Sequence, residues 1–113
     1  MEVKFNLKID GNGLYATKKY LKYEIIYVLS GQIFDEPSRE TIYIGDGRHI
    51  YDNFGIFINH SFTPNVYIDN FNIIALTDIE EGHEITFDYN KNEITMASPF
   101  YEDGIKICGR CIY

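Results

Sequence analysis

The sequence predicts a single, mostly β domain, and three observations carry that expectation. Turn signals recur about every ten residues along the 113-residue chain, the spacing of short strands joined by tight loops. No stretch sustains apolar residues at i, i+3, i+4 and i+7, so long helices are not expected. Hydrophobic residues make up 45% and charged residues 24%, a globular composition that can bury one modest core. Aromatics reach 16%, with ten Tyr, eight Phe and no Trp. Tyr pairs an apolar body with a polar tip, which suits both strands and binding channels.

The elements follow in order. Residues 3–9 alternate apolar and polar and read as a half-buried strand. Residues 10–13, Asp-Gly-Asn-Gly, read as a turn, 14–16 as a short apolar piece and 17–21 as a basic connection. Residues 24–29 and 32–34 read as strands on either side of Ser30-Gly31, and 35–40 as a polar loop. Residues 41–45 and 48–51 flank Asp46-Gly47, a two-residue type I′ hairpin signal. Residues 66–69 and 72–77 flank Asn70-Phe71 as a second hairpin, and 78–82 are a turn. Residues 84–89 alternate and predict a strand ending in Tyr89; 93–97 suit a short helix and the rest reads as irregular. One passage breaks the pattern. The apolar run 56–58 leads straight into Asn59, His60 and Ser61, and a buried strand does not usually end in three polar side chains.

The formal net charge of −7 fits poorly with gripping a phosphate backbone. It can attract a basic peptide, though acidity is also how many proteins stay soluble. Residues 1–10 contain no apolar h-region and no apolar stretch is long enough to cross a bilayer, so neither a signal peptide nor a membrane span is expected. Cys108-Gly-Arg-Cys111 has the spacing of half a zinc site, but a closed zinc site takes four ligands and there is no second CxxC. Two plain thiols in a tail is the plainer reading. No metal ligand is assigned, and a partner-completed zinc knuckle is the alternative. Ser61 beside His60 is not a hydrolase pair, since chain neighbours rarely face one another and no G-x-S-x-G elbow is present. Gly11-Asn12-Gly13 is too short for a dinucleotide fingerprint.

Three stretches together are far more specific. "GNGLYATKKYLKYEII" has a GxG followed by a short apolar pair, Ala and a later turn into a strand. "INHSFTPNV" carries Asn-His-Ser followed by Pro-Asn, and "ALTDIEEGHEITFDYN" places Ala, Asp-Ile, Gly, Glu and Phe-Asp-Tyr in register. In this order and spacing they resemble the motifs of the SET domain, the fold of many protein-lysine methyltransferases. The later "NEITMASPF" is similar to the segment after the core in small single-domain members.

The resemblance implies a fold of small curved antiparallel sheets with a C-terminal pseudoknot and little helix. It implies a SET domain over 1–99 and a short post-SET-like tail over 100–113. It implies S-adenosyl-L-methionine as cofactor, held around Asn12, Gly13, Leu14, Asn59, His60, Tyr89 and Phe100, with His60 acting mainly through its backbone. Tyr89 is the implied catalytic residue; Tyr27, Tyr43 and Phe87 are the candidates for a substrate-lysine channel. Phe at 87, rather than Tyr, leaves room for more than one methyl. The plain alternatives are a strand-end Tyr with its hydroxyl in water, a core Phe87, and an Asn59 and His60 that merely satisfy a buried turn.

Four departures from the family pattern stand out. Leu29 replaces a frequent channel Tyr, and Ile56 a frequent Arg. Phe62 replaces the Cys that completes a zinc cluster in many members, and the tail "IKICGRCIY" is a shortened Cys-rich segment. They keep open a SET-like protein-binding module with weak or lost methylation, and an enzyme acting on its own oligomer or on a dedicated partner. The expected partner is a protein or peptide bearing lysine, with no direct nucleic acid and no membrane, and a homodimer left open. The expected location is cytoplasmic, or nuclear for a histone substrate.

Overall fold

Short apolar runs broken by turn residues give short strands, and the computed structural model describes residues 1–6, 11–93 and 100–109. Strand β1 (Glu2–Asn6) pairs antiparallel with β2 (Gly11–Tyr15), placing Lys4 opposite Gly13. Asn12 and Gly13, read from sequence as a turn, therefore lie in a strand; the connection, 7–10, is outside the described residues.

Two three-stranded antiparallel sheets build the middle. Strand β3 (Ile25–Val28) joins a sheet of order β3-β9-β8 with β8 (Val66–Asp69) and β9 (Asn72–Ala75). Strands β4 (Gln32–Phe34), β5 (Ile42–Gly45) and β6 (Arg48–Tyr51) form the other, in the order β4-β6-β5. At the β5–β6 turn Asp46 and Gly47 have φ of 53° and 72°, as a type I′ hairpin requires. Strand β9 ends at Ala75 rather than continuing to Thr77, because the Leu76 N–H turns away to the Asn65 carbonyl.

The run 56–58, expected as strand, is instead mostly a 3₁₀ turn (Gly55–Phe57). Gly55 is required there by close packing: a Cβ would lie 2.9 Å from Ile42 Cδ1 and 3.0 Å from Leu29 Cδ2. Only Asn59–His60 forms strand β7, and it runs parallel to β10 (Thr86–Phe87). The chain before and through β10 is held on two sides. The Ile85 N–H donates to the Leu14 carbonyl and the Ala16 N–H to the His83 carbonyl, while the Ser61 N–H donates to the Phe87 carbonyl. A late segment thus lies between β2 and β7.

The expected strand over 84–89 stops at Phe87. Asp88 caps a one-turn helix α1 (Tyr89–Asn92), its side chain accepting from the Asn90 N–H, as short acidic side chains do at helix starts. The helix expected over 93–97 begins earlier: Glu93 is already extended, and 94–97 lie outside the described residues. Residues read as irregular form a hairpin, β11 (Phe100–Glu102) and β12 (Ile105–Ile107). Its turn, Asp103-Gly104, has φ of 51° and 78°, the same Asp-Gly chemistry as the earlier hairpin. The core gathers Leu14, Leu29, Ile50, Ile58, Val66, Ile73, Ile85 and Phe87, so it lies directly beneath the polar residues of β7.

Candidate active site

The polar end of the mid-chain run is answered from three directions. The Asn59 side-chain amide donates to the Asn12 carbonyl at 2.9 Å and to Glu84 Oε2 at 2.7 Å. A Cβ on Gly13 would lie 2.5 Å from that same Glu84 oxygen, so the position suits a residue with no side chain. Asn59, Asn12, Gly13 and Glu84 make one polar cluster. Leu14 points the other way: its side chain is wholly buried in the core and its carbonyl is taken by Ile85.

His60 is buried, and its Nδ1 accepts from the Tyr89 N–H at 3.0 Å. Burial pulls its pKa below the usual value, with the Asp88 and Glu102 carboxylates opposing. A neutral ring that accepts at Nδ1 carries its proton on Nε2. That Nε2 is buried without a hydrogen-bond partner among the described residues, and Glu102 Oε2 stands 3.9 Å away. Around the imidazole lie the rings of Phe62, Tyr89 and Phe100, at 4.5, 5.2 and 6.4 Å between centroids.

Tyr89 is the first residue of α1, one position past the break in the strand. Its hydroxyl donates to the Ile58 carbonyl at 2.5 Å. Burial first, then the carboxylates of Glu93, Glu84 and Glu102, push its pKa well above the ordinary tyrosine value. It is therefore a protonated phenol at any working pH. The Phe87 ring is 4.7 Å away and the Phe100 ring 6.2 Å away; Phe87 is buried, whereas Phe100 is partly exposed on the C-terminal hairpin. Asn12, Gly13, Asn59, His60, Phe87, Tyr89 and Phe100 thus belong to one connected neighbourhood.

The two tyrosines expected from sequence to line a channel are engaged elsewhere through their hydroxyls. Tyr27 donates to both oxygens of Asp52, at 3.0 and 2.9 Å, and its pKa is pushed up to about 12 by burial and by that bond. The Tyr43 hydroxyl accepts from the Gly47 N–H at the β5–β6 turn, and its ring lies 5.2 Å from His49. Leu29 is a core residue. Among the described residues no group of His, Cys, Asp and Glu could hold a metal ion. Cys108 is buried and, contrary to the plain-thiol reading, is not a free thiol; Cys111 lies outside the described residues.

Two residues stand within the quoted motifs but were given no role by the sequence reading. Glu84 ties Asn59 to Gly13. Asn65 replaces a strand partner, donating from Nδ2 to the Glu84 carbonyl at 2.7 Å and accepting the Thr86 N–H at 2.9 Å. The motif marked both the Pro-Asn step and the Glu after Gly82, but not the partners that the fold brings to Asn65 and Glu84.

The profile of the SET domain matches residues 11–90, which contain the polar cluster, His60 and Tyr89. The chain belongs to the SET-domain family. This SET domain is 33% identical over 107 residues to a Yarrowia lipolytica protein named histone-lysine N-methyltransferase, H3 lysine-36 specific; the match covers 71% of this chain and 14% of that protein. A Candida albicans protein of the same name is 33% identical over 110 residues, covering 74% of this chain and 13% of its own. The chain thus spans only about one-seventh of the length of these relatives. A solved Plasmodium falciparum structure, of a candidate histone methyltransferase, superposes with a TM-score of 0.58 at 23% identity, over 78% of this chain and 90% of that one. This likeness shows the SET fold, with its small antiparallel sheets.

Proposed function

We propose that this SET domain transfers a methyl group from S-adenosyl-L-methionine to a lysine side chain of a protein substrate, histone-like or other. The observation that carries the reading is the Tyr89 hydroxyl seated on the Ile58 carbonyl, one residue before Asn59, whose amide reaches the Asn12 carbonyl. The histone-lysine names of the relatives support the reaction class.

The residues present fit the cofactor. Gly13 keeps the backbone bare where a Cβ would lie 2.5 Å from Glu84 Oε2, and the polar groups of Asn12 and Asn59 gather beside it; bare backbone beside clustered polar groups is what a ligand can approach closely. When bound, the cofactor supplies a methyl group on a positively charged sulfur. Asn12, Gly13, Asn59 and His60 would hold it, and Phe100 would cover it. Leu14 would contribute only through its neighbours' backbone.

Tyr89 aligns the reactants. With its proton directed at Ile58, the phenol oxygen keeps lone pairs to accept partial positive charge. A free lysine is almost fully protonated at neutral pH, with a pKa of about 10.4. A channel walled by the Phe87 and Tyr89 rings disfavours the charged amine by desolvation, and holding nitrogen in line supplies much of the rate. Phe87, having no hydroxyl, leaves room for more than one methyl. Tyr27 and Tyr43 can join the channel through their rings, since their hydroxyls are committed to Asp52 and Gly47.

In this reading residues 1–99 are the catalytic SET domain and 100–113 a post-SET-like tail. Histone-specific relatives favour a nuclear location over a cytoplasmic one. The test combines calorimetry with S-adenosylhomocysteine and labelled methyl transfer to histones and to a lysate. Binding plus incorporation into lysine is expected. Absence of binding would sink the enzyme reading; binding without transfer would leave a SET-like binding module.

A further inference from the structure

One side chain docks the C-terminal hairpin. Asn90 Oδ1 accepts from the Cys108 N–H at 3.0 Å and the Gly109 N–H at 3.1 Å. Asn90 Nδ2 donates to the Lys106 carbonyl at 3.1 Å. Both ends of the amide are used, and all three partners are backbone groups in or just after β12. Its own backbone is fixed as well, since the Asn90 N–H donates to Asp88 Oδ1 at 2.9 Å. The preceding residue is Tyr89, whose N–H is held by His60 Nδ1. A one-turn helix thus joins the catalytic candidate, the imidazole and the tail.

The other strand of the hairpin meets the same imidazole. The His60 side chain is 1% exposed, and its Nε2 lacks a hydrogen-bond partner among the described residues. The Glu102 carboxylate on β11 is 3.9 Å from it and half exposed. Leaving a buried donor unmade is costly. An approach of about 1 Å would turn this pair into an ordinary hydrogen bond.

We infer that Asn90 is the positioning residue that seats the C-terminal hairpin on the His60–Tyr89 cleft, and that Glu102 closes on the His60 Nε2–H when the cleft is filled. The competing account is that the hairpin is held simply by burying Ile107, which is 0% exposed. On that account Asn90 and Glu102 are dispensable for ligand binding. The Glu102 half rests on the proposed cofactor reading; the Asn90 half does not.

The test uses the full chain with S-adenosylhomocysteine as the probe. In Asn90→Ala the Cys108 and Gly109 amides should exchange with solvent at least about 5-fold faster, the scale of one lost hydrogen bond, while β9 amides keep their protection. Unchanged exchange at those two amides overturns the Asn90 role. Affinity should weaken about 5-fold or more in Asn90→Ala and in Glu102→Ala, and stay near wild type in Glu102→Gln, which keeps an acceptor oxygen. Saturation should bring out a protected His60 Nε2–H proton resonance in wild type and Glu102→Gln but not in Glu102→Ala. Wild-type affinity in Glu102→Ala, or the same resonance there, overturns the Glu102 role. Should Asn90→Ala fail to fold, Asn90→Asp keeps the acceptor and loses only the donor to Lys106. Its affinity should still fall, and wild-type affinity counts against the proposal. If the wild type binds no S-adenosylhomocysteine, the cofactor reading and the Glu102 half fall together, and the exchange arm alone decides Asn90.

Discussion

The Tyr89 hydroxyl and the Ile58 carbonyl are 2.5 Å apart and hydrogen-bonded, across 31 positions of sequence. Removing that oxygen should disturb alignment more than binding. Tyr89→Phe is expected to lower kcat about 100-fold, the scale of a misplaced reactant, and to leave S-adenosylhomocysteine affinity within a few-fold. Single-turnover methyl transfer beside calorimetry checks it. Equal rates in the two proteins would remove Tyr89 from its role.

Gly13→Ala should do the reverse. The added carbon would sit 2.5 Å from Glu84 Oε2, so Glu84 must swing away from Asn59, with which it now shares a 2.7 Å hydrogen bond. Cofactor-analogue affinity is expected to fall about 10-fold, since a hydrogen bond to a charged group contributes about 1.5–3 kcal/mol. Thermal stability should change little. A titration curve superimposable on wild type would count against the need for bare backbone at Gly13.

Acid should unsettle the fold through two buried imidazoles. Burial lowers the pKa of both His60 and His49 below 6.5, with Asp35 opposing at His49. A histidine depressed in the fold contributes stability that is fully present above the unfolded value of about 6.5. That contribution is lost as pH falls from there through the lower folded pKa, because the unfolded chain binds the proton first. The melting temperature should therefore drop between about pH 6.5 and 5, and the two ring resonances should titrate below 6.5 by NMR. A Tm that holds steady or rises over that interval, together with ordinary histidine titrations, would contradict this.

Removing the Asp52 carboxylate should cost the fold stability. It is 1% exposed and accepts from the Ser30, Phe54 and Gly55 N–H groups as well as from Tyr27. Asp52→Ala is expected to lose about 3 kcal/mol, and Tyr27→Phe about 1 kcal/mol with methyl transfer intact. Urea unfolding and an activity assay read both. A Tyr27→Phe enzyme that is stable but slow would instead place that hydroxyl in the substrate channel.

Much of this architecture was legible beforehand where a local rule fixes it. Asp46-Gly47 forces its hairpin, the alternation read over 3–9 marked strand β1, and the turn at Asn70-Phe71 marked strand β8. Asp103-Gly104 carries the same signal and went unread, because the surrounding segment looked irregular. Local rules failed where a distant partner decides the outcome. Gly11-Asn12-Gly13 reads as a turn in isolation, yet pairing with β1 makes it strand. Residues 56–58 look like a strand, yet packing of Gly55 against Leu29 and Ile42 curls them. Tyr89 looks like a strand end, yet the Asp88 cap starts a helix. Asn59, His60, Glu84 and Tyr89 were marked by motif, but the roles of Glu84 and Asn90 were invisible because their partners lie at Asn59 and at 106–109.

The segment running through β10, held between β2 and β7, bears on how the molecule comes into being. Its neighbours lie about 70 positions upstream on one side and 27 on the other, and pairings so remote in sequence form slowly. During synthesis from the N-terminus, the two central sheets can assemble as soon as Ala75 has emerged. The bonds of Asn59 to Glu84 and of His60 to Tyr89 cannot form until residues 82–89 thread into place. The part expected to do the chemistry is therefore ordered after the two central sheets, and a partly made chain should possess a core before it possesses a site.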